Sequence, residues 1–98
     1  MTRIIVKELI WDVWNTVHIK KHSVTKKETE NAIENVIAYR QGYKERIVLI
    51  GRSGKRLLAM IVSKEMSGRY YVVTARDAGK KERRLAYEKE KNKQNTKI

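Results

Sequence analysis

The stretch Tyr70–Lys89, YYVVTARDAGKKERRLAYEK, contains the residues that decide how this chain folds. Its first part, Tyr70–Ala75, is rich in aromatic and β-branched side chains, which predicts a strand. Residues 79–89 are rich in good helix formers, and Asp77 just before them is of a type that caps helices. The stretch therefore predicts a strand that leads directly into a helix, with Arg76 at the junction.

The predicted helix carries one acidic residue, Glu82, on its apolar face. Its neighbours on that face, at the i, i+4, i+7 and i+8 spacing, are Ala78, Leu85 and Ala86. The flanks of the face are basic, with Lys80, Lys81, Arg83 and Arg84. Two interpretations follow. Glu82 is either part of an ion pair that anchors the helix to a sheet, which is the commoner case, or part of an acid/base and phosphate-binding site.

The charge of the chain is high and uneven. The 98 residues carry a net charge of +12. Residues 1–45 have 8 basic and 6 acidic side chains, whereas residues 46–98 have 15 and 5, so the second half holds +10. Such a field favours a polyanionic partner: nucleic acid first, an acidic protein second and an anionic membrane third.

Length and composition narrow the class of protein. Ninety-eight residues with 41% apolar content predict one domain over residues 1–90, followed by a polar tail over residues 91–98. The absence of cysteine excludes disulfides and thiolate metal sites. The sequence has no apolar run of 18 residues and no signal-peptide pattern, so we expect a cytoplasmic protein without a membrane partner.

The first half of the chain predicts one strand and two helices. Arg3–Val6 is a β-branched run that predicts the strand. Helical spacing predicts the first helix over Trp11–His22. The residues at that spacing are Ile10, Val13, Trp14, Val17 and Lys21. Thr25 and Glu28 have the spacing of a capping box, which predicts a second helix that ends near Tyr39.

The second half of the chain predicts three strands before the last helix. Arg46–Ile50, Arg56–Val62 and Arg69–Ala75 are separated by short turns, which predicts an antiparallel meander. The glycines at 51 and 54 lack the lysine and hydroxyl spacing of a nucleotide-binding loop, so they indicate a hairpin. The expected fold is α+β: a strand, two helices, a three-stranded antiparallel meander and a C-terminal helix packed on the sheet.

Two histidines, His18 and His22, lie four residues apart and can share a face of the first helix. That spacing can serve a metal ion, but no third ligand is evident, since the chain has no cysteine and no other histidine. Packed or hydrogen-bonded histidines are the commoner case. We expect neither a metal nor another cofactor.

Two motifs resemble the BrnT-like toxins, which belong to the RelE-like superfamily of bacterial and archaeal toxin–antitoxin systems. The first is Trp11-Asp12-x-x-Asn15-x-x-His18-Ile19-x-x-His22-x-Val24-Thr25. The second is Val73-Thr74-Ala75-Arg76-Asp77 followed by Lys81-Glu82-Arg83-Arg84. The resemblance covers most of the chain. It implies a small α+β ribonuclease that cleaves messenger RNA and is held inactive by a co-expressed antitoxin.

The matching positions imply a site made of His22, Arg76, Glu82 and Arg83. Two positions depart from the family pattern. Ser23 stands where the family usually has glycine, so serine costs stability if that position needs a positive φ. The tyrosine, Tyr87, comes one residue later than the family's, which rotates its side chain by about 100° around a helix. Further candidates for binding RNA are Arg46, Lys80, Lys81 and Arg84.

RNA can be cut without a metal when its 2′-hydroxyl attacks the adjacent phosphate. The reaction needs a base for the hydroxyl proton, cations for the phosphate charge and an acid for the leaving oxygen. Glu82 is the candidate base, Arg76 and Arg83 are the candidate phosphate clamp, and His22 or Tyr87 is the candidate acid. Nearby arginines lower the pKa of a glutamate and burial raises it, and the sequence leaves open which effect is larger.

The expected partners are RNA, a cognate antitoxin and, through the antitoxin complex, promoter DNA. Two other hypotheses remain open at this point. The protein is alternatively a non-catalytic basic module that binds nucleic acid, in which Glu82 only pairs with Arg76. The third hypothesis is an inactive relative of the toxins that acts only by binding another protein. The shifted position of Tyr87 motivates this hypothesis.

Overall fold

The protein has an α+β fold in which helices cover both faces of one mixed sheet. A computed structural model describes residues 4–95, and the side chains of residues 4–91. The strands in this part are β1 (Glu8–Ile10), β2 (Val36–Gln41), β3 (Ile47–Ser53), β4 (Arg56–Met66) and β5 (Arg69–Asp77). The helices are α1 (Val13–Lys20), α2 (Lys26–Glu34) and α3 (Lys80–Asn95), and a 3-10 turn covers Tyr43–Glu45. The predicted fold class is confirmed.

The five strands form one sheet in the order β1-β5-β4-β3-β2. The antiparallel meander is present as β3, β4 and β5, with strands longer than expected. Two features differ from the prediction. β1 pairs in parallel with β5, which makes the sheet mixed, and β2 adds a strand antiparallel to β3.

The predicted extension of the second helix to Tyr39 was wrong, because α2 ends at Glu34 and β2 follows. Asn35 leaves the helical conformation, with φ −126° and ψ 46°. The apolar run after it fits a helix and a strand about equally well by periodicity. Pairing with β3 decides the outcome, since it satisfies backbone groups that would otherwise lie at an open edge of the sheet.

The first strand was predicted in the wrong place. It covers Glu8–Ile10 and not Arg3–Val6, and Arg3 lies outside the described residues. Ile4 and Val6 instead pack as partly buried side chains against the core. The backbone N–H groups that lead into β1 donate to the carbonyl of Gly68, at 2.8 and 3.0 Å, which sets the strand beside β5.

Helix α1 forms where the spacing predicts it, but three of its four apolar side chains are exposed. Val13, Trp14 and Val17 are 77%, 83% and 51% exposed. The buried residues of this helix are Asn15 and Ile19. Asn15 donates to the carbonyl of Ile10 at 2.9 Å and closes a capping box with Asp12, so a polar residue anchors the helix. An exposed apolar surface on α1 results.

The capping box predicted for the second helix is confirmed. Thr25 accepts from the Glu28 N–H at 3.0 Å, and Glu28 accepts from the Thr25 N–H at 3.0 Å. The same Glu28 pairs with Arg56, which also binds Asp77 at 2.8 Å and the carbonyl of Ser23 at 2.7 Å. Asp77 was predicted to cap the last helix. It lies instead at the end of β5, and its carboxylate accepts a hydrogen bond from Arg56 of β4.

Two apolar layers lie on the two faces of the sheet. The layer beneath α1 and α2 includes Ile19, Ala32, Leu49 and Met60. The layer between α3 and the sheet consists of Ala38, Val48, Ile50, Leu57, Ala59, Ala78 and, on α3 itself, Ala86. Its many alanines let α3 lie close to the strands. α3 continues to Asn95 and so includes part of the predicted tail, whose residues 96–98 lie outside the described residues.

The predicted hairpin is present as β3 and β4, but its turn begins at Gly54, and Gly51 lies inside β3. A Cβ at this position would lie 2.2 Å from the carbonyl oxygen of Ala32, so only glycine lets α2 sit against the strand. The turn itself is at Gly54, whose φ is +61°. None of the helices in residues 4–95 has the length and apolar character that crossing a bilayer requires.

Candidate functional site

Glu82 lies in the first turn of α3, and only 5% of its surface is exposed. Arg76 binds its carboxylate through both terminal nitrogens, Nη1 to Oε1 at 2.7 Å and Nη2 to Oε2 at 3.0 Å. The Gly79 N–H donates to Oε1 at 2.7 Å, and Arg40 Nη2 donates to Oε2 at 3.1 Å. Each carboxylate oxygen therefore accepts two hydrogen bonds.

The two arginines reach Glu82 from two strands that are not neighbours in the sheet. Arg76 stands opposite Ala59 in the register of β5 with β4, and Arg40 stands opposite Val48 in the register of β2 with β3. Both partners belong to the apolar layer under α3, so both arginines project on that face. The small side chain of Ala59 leaves room for the guanidinium groups beneath the helix.

Hydrogen bonds from Arg76 lower the pKa of Glu82 to about 2. Burial acts in the opposite direction, and the Gly79 N–H and Arg40 add to the lowering. Glu82 correspondingly raises the pKa of Arg76. The two opposing effects named from the sequence are thus resolved in favour of the arginines. A fully paired carboxylate with so low a pKa matches the ion-pair interpretation of Glu82.

An open cavity of about 550 Å³, the glutamate cleft, lies above this ion pair. Its polar lining consists of Arg40, Arg76, Lys80, Lys81 and Glu82. Four cationic side chains and one carboxylate thus line the same cavity. The side chains of Arg40 and Arg76 are 49% and 35% exposed, and both line the cavity. The cleft is suited to bind a phosphate, which guanidinium groups recognise in a bidentate manner.

A second cavity of about 760 Å³, the tyrosine groove, runs along α3. Its lining includes Lys80, Arg83, Arg84, Tyr87, Glu88 and Lys91. Arg83 Nε donates to the carbonyl of Ala78 at 3.1 Å. Lys80 lines both cavities, which makes them neighbours. The structure therefore brings Glu82 and Arg76 together with Lys80 and places Arg83 and Tyr87 in the adjacent groove.

His22 and Arg46 line neither cavity. His22 is exposed in the turn after α1, and its ring centroid lies 5.6 Å from that of His18. Arg46 is half-buried just before β3, and its carbonyl accepts from the Gly42 N–H at 2.7 Å. Among the described residues, no group of three His, Asp or Glu side chains could hold a metal ion. The residues suggested by the resemblance thus fall into separate parts of the surface.

Arg40 is the site residue that sequence reasoning missed. It lies in β2, and the residues just before it were assigned to the end of a helix. No local signal could have found it, because residues 36–41 fit a strand and a helix about equally well by periodicity. Arg52 was also missed, and it pairs with Glu90 through two hydrogen bonds of 2.8 and 3.0 Å.

The sequence matches no protein-family model and no curated protein. The geometry of the two cavities and the charge around them therefore carry the functional argument. The two cavities present arginine and lysine donors on one face of the sheet and along α3. Donors of this kind can bind the phosphates of a polyanion.

Proposed function

We propose that this protein is the toxin of a toxin–antitoxin pair, with a RelE-like fold, and that it cleaves messenger RNA in the cytoplasm without a metal ion. The observation that carries the proposal is the convergence of Arg40 and Arg76 on one buried carboxylate in a cleft with four cations. The net charge of +10 on residues 46–98 and the resemblance of two motifs to BrnT-like toxins support it.

The proposed reaction takes place at a phosphate held in the glutamate cleft. The 2′-oxygen of RNA attacks the adjacent phosphorus and loses its proton, and the 5′-oxygen of the next nucleotide leaves and gains one. The products are a 2′,3′-cyclic phosphate and a 5′-hydroxyl. Arg40 and Arg76 donate to the phosphate oxygens, whose negative charge grows in the transition state. Lys80 and Lys81 add to the positive potential.

Glu82 has two possible roles in this scheme. As the structure stands, it positions Arg40 and Arg76, and its low pKa makes it a weak base. A bound phosphate competes for the same N–H donors, however, and Glu82 can take the hydroxyl proton only when a guanidinium group turns from the carboxylate to the phosphate. The geometry favours the positioning role, and the base role requires this exchange of partners.

The proposal is tested by in vitro cleavage of a long messenger RNA, with and without EDTA and with and without ribosomes. We expect ends that carry 2′,3′-cyclic phosphate or its 3′-phosphate hydrolysis product, and no effect of EDTA. Arg76→Ala should lower cleavage about a hundredfold, since a lost donor to the transition state costs roughly 2–4 kcal/mol. Lys64→Ala is a matched control, because it removes one exposed charge that lines neither cavity.

Intact RNA with pure wild-type protein, both alone and with ribosomes, would reject the enzyme. Loss of cleavage on addition of EDTA would reject the metal-independent mechanism. The two candidate acids are separated in the same assay. His22→Gln should have little effect, because His22 lines neither cavity. Tyr87→Phe, which removes only the hydroxyl group, is the corresponding test of the other candidate acid.

A toxin that acts on RNA needs a partner that blocks it. The uneven positive charge suits an acidic antitoxin, which in turn can link the complex to promoter DNA. We expect a stable complex when the protein is co-expressed with the product of an adjacent reading frame, detected by size-exclusion chromatography. Elution of the free protein alone would argue against the antitoxin.

The second candidate function is a non-catalytic module that binds nucleic acid or protein. The full pairing of the Glu82 carboxylate favours a module that binds nucleic acid without cleaving it. The exposed Val13, Trp14 and Val17 on α1 favour it on the protein side, because exposed aromatic and aliphatic groups of this kind mark interaction surfaces. RNA that binds in a salt-sensitive manner but stays intact would favour this candidate over the enzyme.

A further inference from the structure

We propose that His18 and His22, at the C-terminal end of α1, form an exchangeable binding site for a late first-row transition-metal ion, which binds Cu²⁺ more tightly than Ni²⁺ or Zn²⁺. The site lies outside both cavities and takes no part in the proposed reaction. Three observations carry the inference: the geometry of the two imidazole rings, the fixed backbone beneath them and the absence of competing partners for their nitrogens.

The two rings lie at a distance that one metal ion can bridge. Their centroids are 5.6 Å apart, and the rings meet edge to face, with an angle of 68° between their planes. Two imidazoles that bind one ion through bonds of about 2.0–2.1 Å have ring centres roughly 5–6 Å apart. Rotation about the side-chain bonds therefore suffices to aim one nitrogen of each ring at a shared ion.

The backbone that carries His22 is held in one conformation. The chain leaves α1 through a Schellman turn, in which the Val24 N–H donates to the Ile19 carbonyl at 3.1 Å and Ser23 takes the positive φ. Arg56 donates from Nη1 to the carbonyl of Ser23 at 2.7 Å and from Nη2 to that of His22 at 3.4 Å. Because the turn is already ordered, binding an ion costs little conformational entropy.

Both imidazole rings are exposed and available to an ion. Within residues 4–91, the only interaction of either ring is with the other, since neither forms a hydrogen bond or an ion pair. The C-terminal end of α1 adds the negative end of the helix dipole, which favours a bound cation. Lys20 and Lys21 oppose it, but both are exposed, so solvent and salt screen their charge.

Imidazole nitrogens determine the class of ion. They suit Cu²⁺, Ni²⁺ and Zn²⁺, whereas Mg²⁺ and Ca²⁺ prefer oxygen ligands. Cu²⁺ binds a given nitrogen site most tightly. Two protein ligands leave the remaining positions of the ion to water, because no third His, Asp or Glu of the described residues joins the pair. The ion should therefore exchange with solution, unlike a resident cofactor.

Trp14 provides a readout of binding at this place. It precedes His18 by four residues on the same face of α1, and its side chain is 83% exposed. Cu²⁺ quenches the fluorescence of an indole ring at short range. The protein, prepared without a histidine tag, is titrated with Cu²⁺ in the presence of excess Mg²⁺ while tryptophan emission is recorded. Isothermal titration calorimetry with Cu²⁺ and with Zn²⁺ measures the affinity independently of fluorescence.

Wild type should show saturable quenching that excess Mg²⁺ does not reverse. His18→Gln and His22→Gln should each bind Cu²⁺ at least about tenfold more weakly, since even the outer partners of metal ligands contribute that much. Lys21→Gln is the matched control, because it keeps both imidazoles and should bind at least as tightly as wild type. Trp14→Phe should keep the calorimetric affinity and lose most of the quenching, which separates Trp14 from Trp11. Thermal melts check that each variant is folded.

Equal affinities of wild type, His18→Gln and His22→Gln would overturn the inference. A loss in only one of these two variants would do the same, because the rings would then not act as a pair. Quenching that persists unchanged in Trp14→Phe would place the ion elsewhere on the chain and reject the site. Displacement of the ion by Mg²⁺ would identify an oxygen site and reject it as well. None of these measurements involves RNA, so the metal site and the proposed ribonuclease are tested independently.

Discussion

Arg40 Nη2 lies 3.1 Å from Oε2 of Glu82, although the two residues are 42 positions apart in the chain. The contact joins β2, at the edge of the sheet, to the first turn of α3. On the other oxygen of the same carboxylate, Arg76 holds the helix to β5. One buried acid thus connects two separated strands, and it also fixes the direction in which both guanidinium groups face the cleft.

Arg40→Ala should impair RNA cleavage much more than it impairs folding. Arg40 is half-exposed, and Glu82 keeps its bonds to Arg76 and Gly79, so the loss of unfolding free energy should stay below about 1 kcal/mol. Cleavage should fall about tenfold to a hundredfold, because a donor to the phosphate is lost. The comparison is Arg46→Ala, which removes an arginine outside both cavities. Equal losses in the two variants would contradict a specific role for Arg40.

Glu82→Gln should destabilise the protein in a pH-dependent way. The pKa of Glu82 is lowered from 4.5 to about 2 in the fold, so ionised Glu82 contributes on the order of 3 kcal/mol above pH 5. That contribution declines as the pH falls from about 4.5 through 2, where the carboxyl becomes protonated in the folded state as well. Chemical denaturation at pH 7 and pH 3 measures the difference between wild type and variant. A difference that does not shrink at low pH would argue against the ion pair as its source.

Ser23→Gly should stabilise the protein by about 1 kcal/mol. Ser23 has φ 57°, a conformation that costs a residue with a Cβ roughly 1–2 kcal/mol. Glycine avoids this cost, but part of the gain is lost because glycine has more conformational freedom in the unfolded state. The sequence raised this possibility, and the observed φ confirms its premise. A thermal melt should show a higher Tm. Ser23→Ala is the control, because it keeps the Cβ and should give no such increase.

Gly51→Ala should be one of the most damaging single substitutions in the chain. The added methyl group would lie 2.2 Å from the carbonyl oxygen of Ala32 and 3.0 Å from that of Asn35, so α2 must move away from β3. We expect a loss of about 3 kcal/mol or more in chemical denaturation. Gly54→Ala is the matched substitution, since its methyl group meets open space and only the φ of +61° is unfavourable. A smaller loss at Gly51 than at Gly54 would contradict the packing argument.

Local signals predicted the elements whose formation depends on residues close in sequence. The capping box of Thr25 and Glu28, the three strands of the meander and the helix after β5 all follow from patterns within a few residues. The inward position of Glu82 on α3 follows in the same way from the spacing of its apolar neighbours. Its six-residue separation from Arg76 also made that pair visible in the sequence.

The sequence left undetermined the features that depend on distant pairing. Val36–Gln41 is a strand because β3 offers it an edge, and no local pattern separates that outcome from a longer helix. α1 turns Trp14 outward because Asn15 and Ile19 fit the site beside the sheet, although the apolar spacing is equally compatible with a buried face. The environment of Tyr87 on α3 likewise depends on Arg52, which approaches its ring from β3.

By itself, the sequence determined the α+β class, the basic second half and the acid on the inner face of the last helix, because each depends on composition or on short-range periodicity. Only the tertiary structure decided what that acid does. Four donors from Arg40, Arg76 and Gly79 converge on Glu82, and their combined effect on its pKa outweighs burial. That balance is set by distances between atoms on three separate elements, which no spacing along the chain can specify.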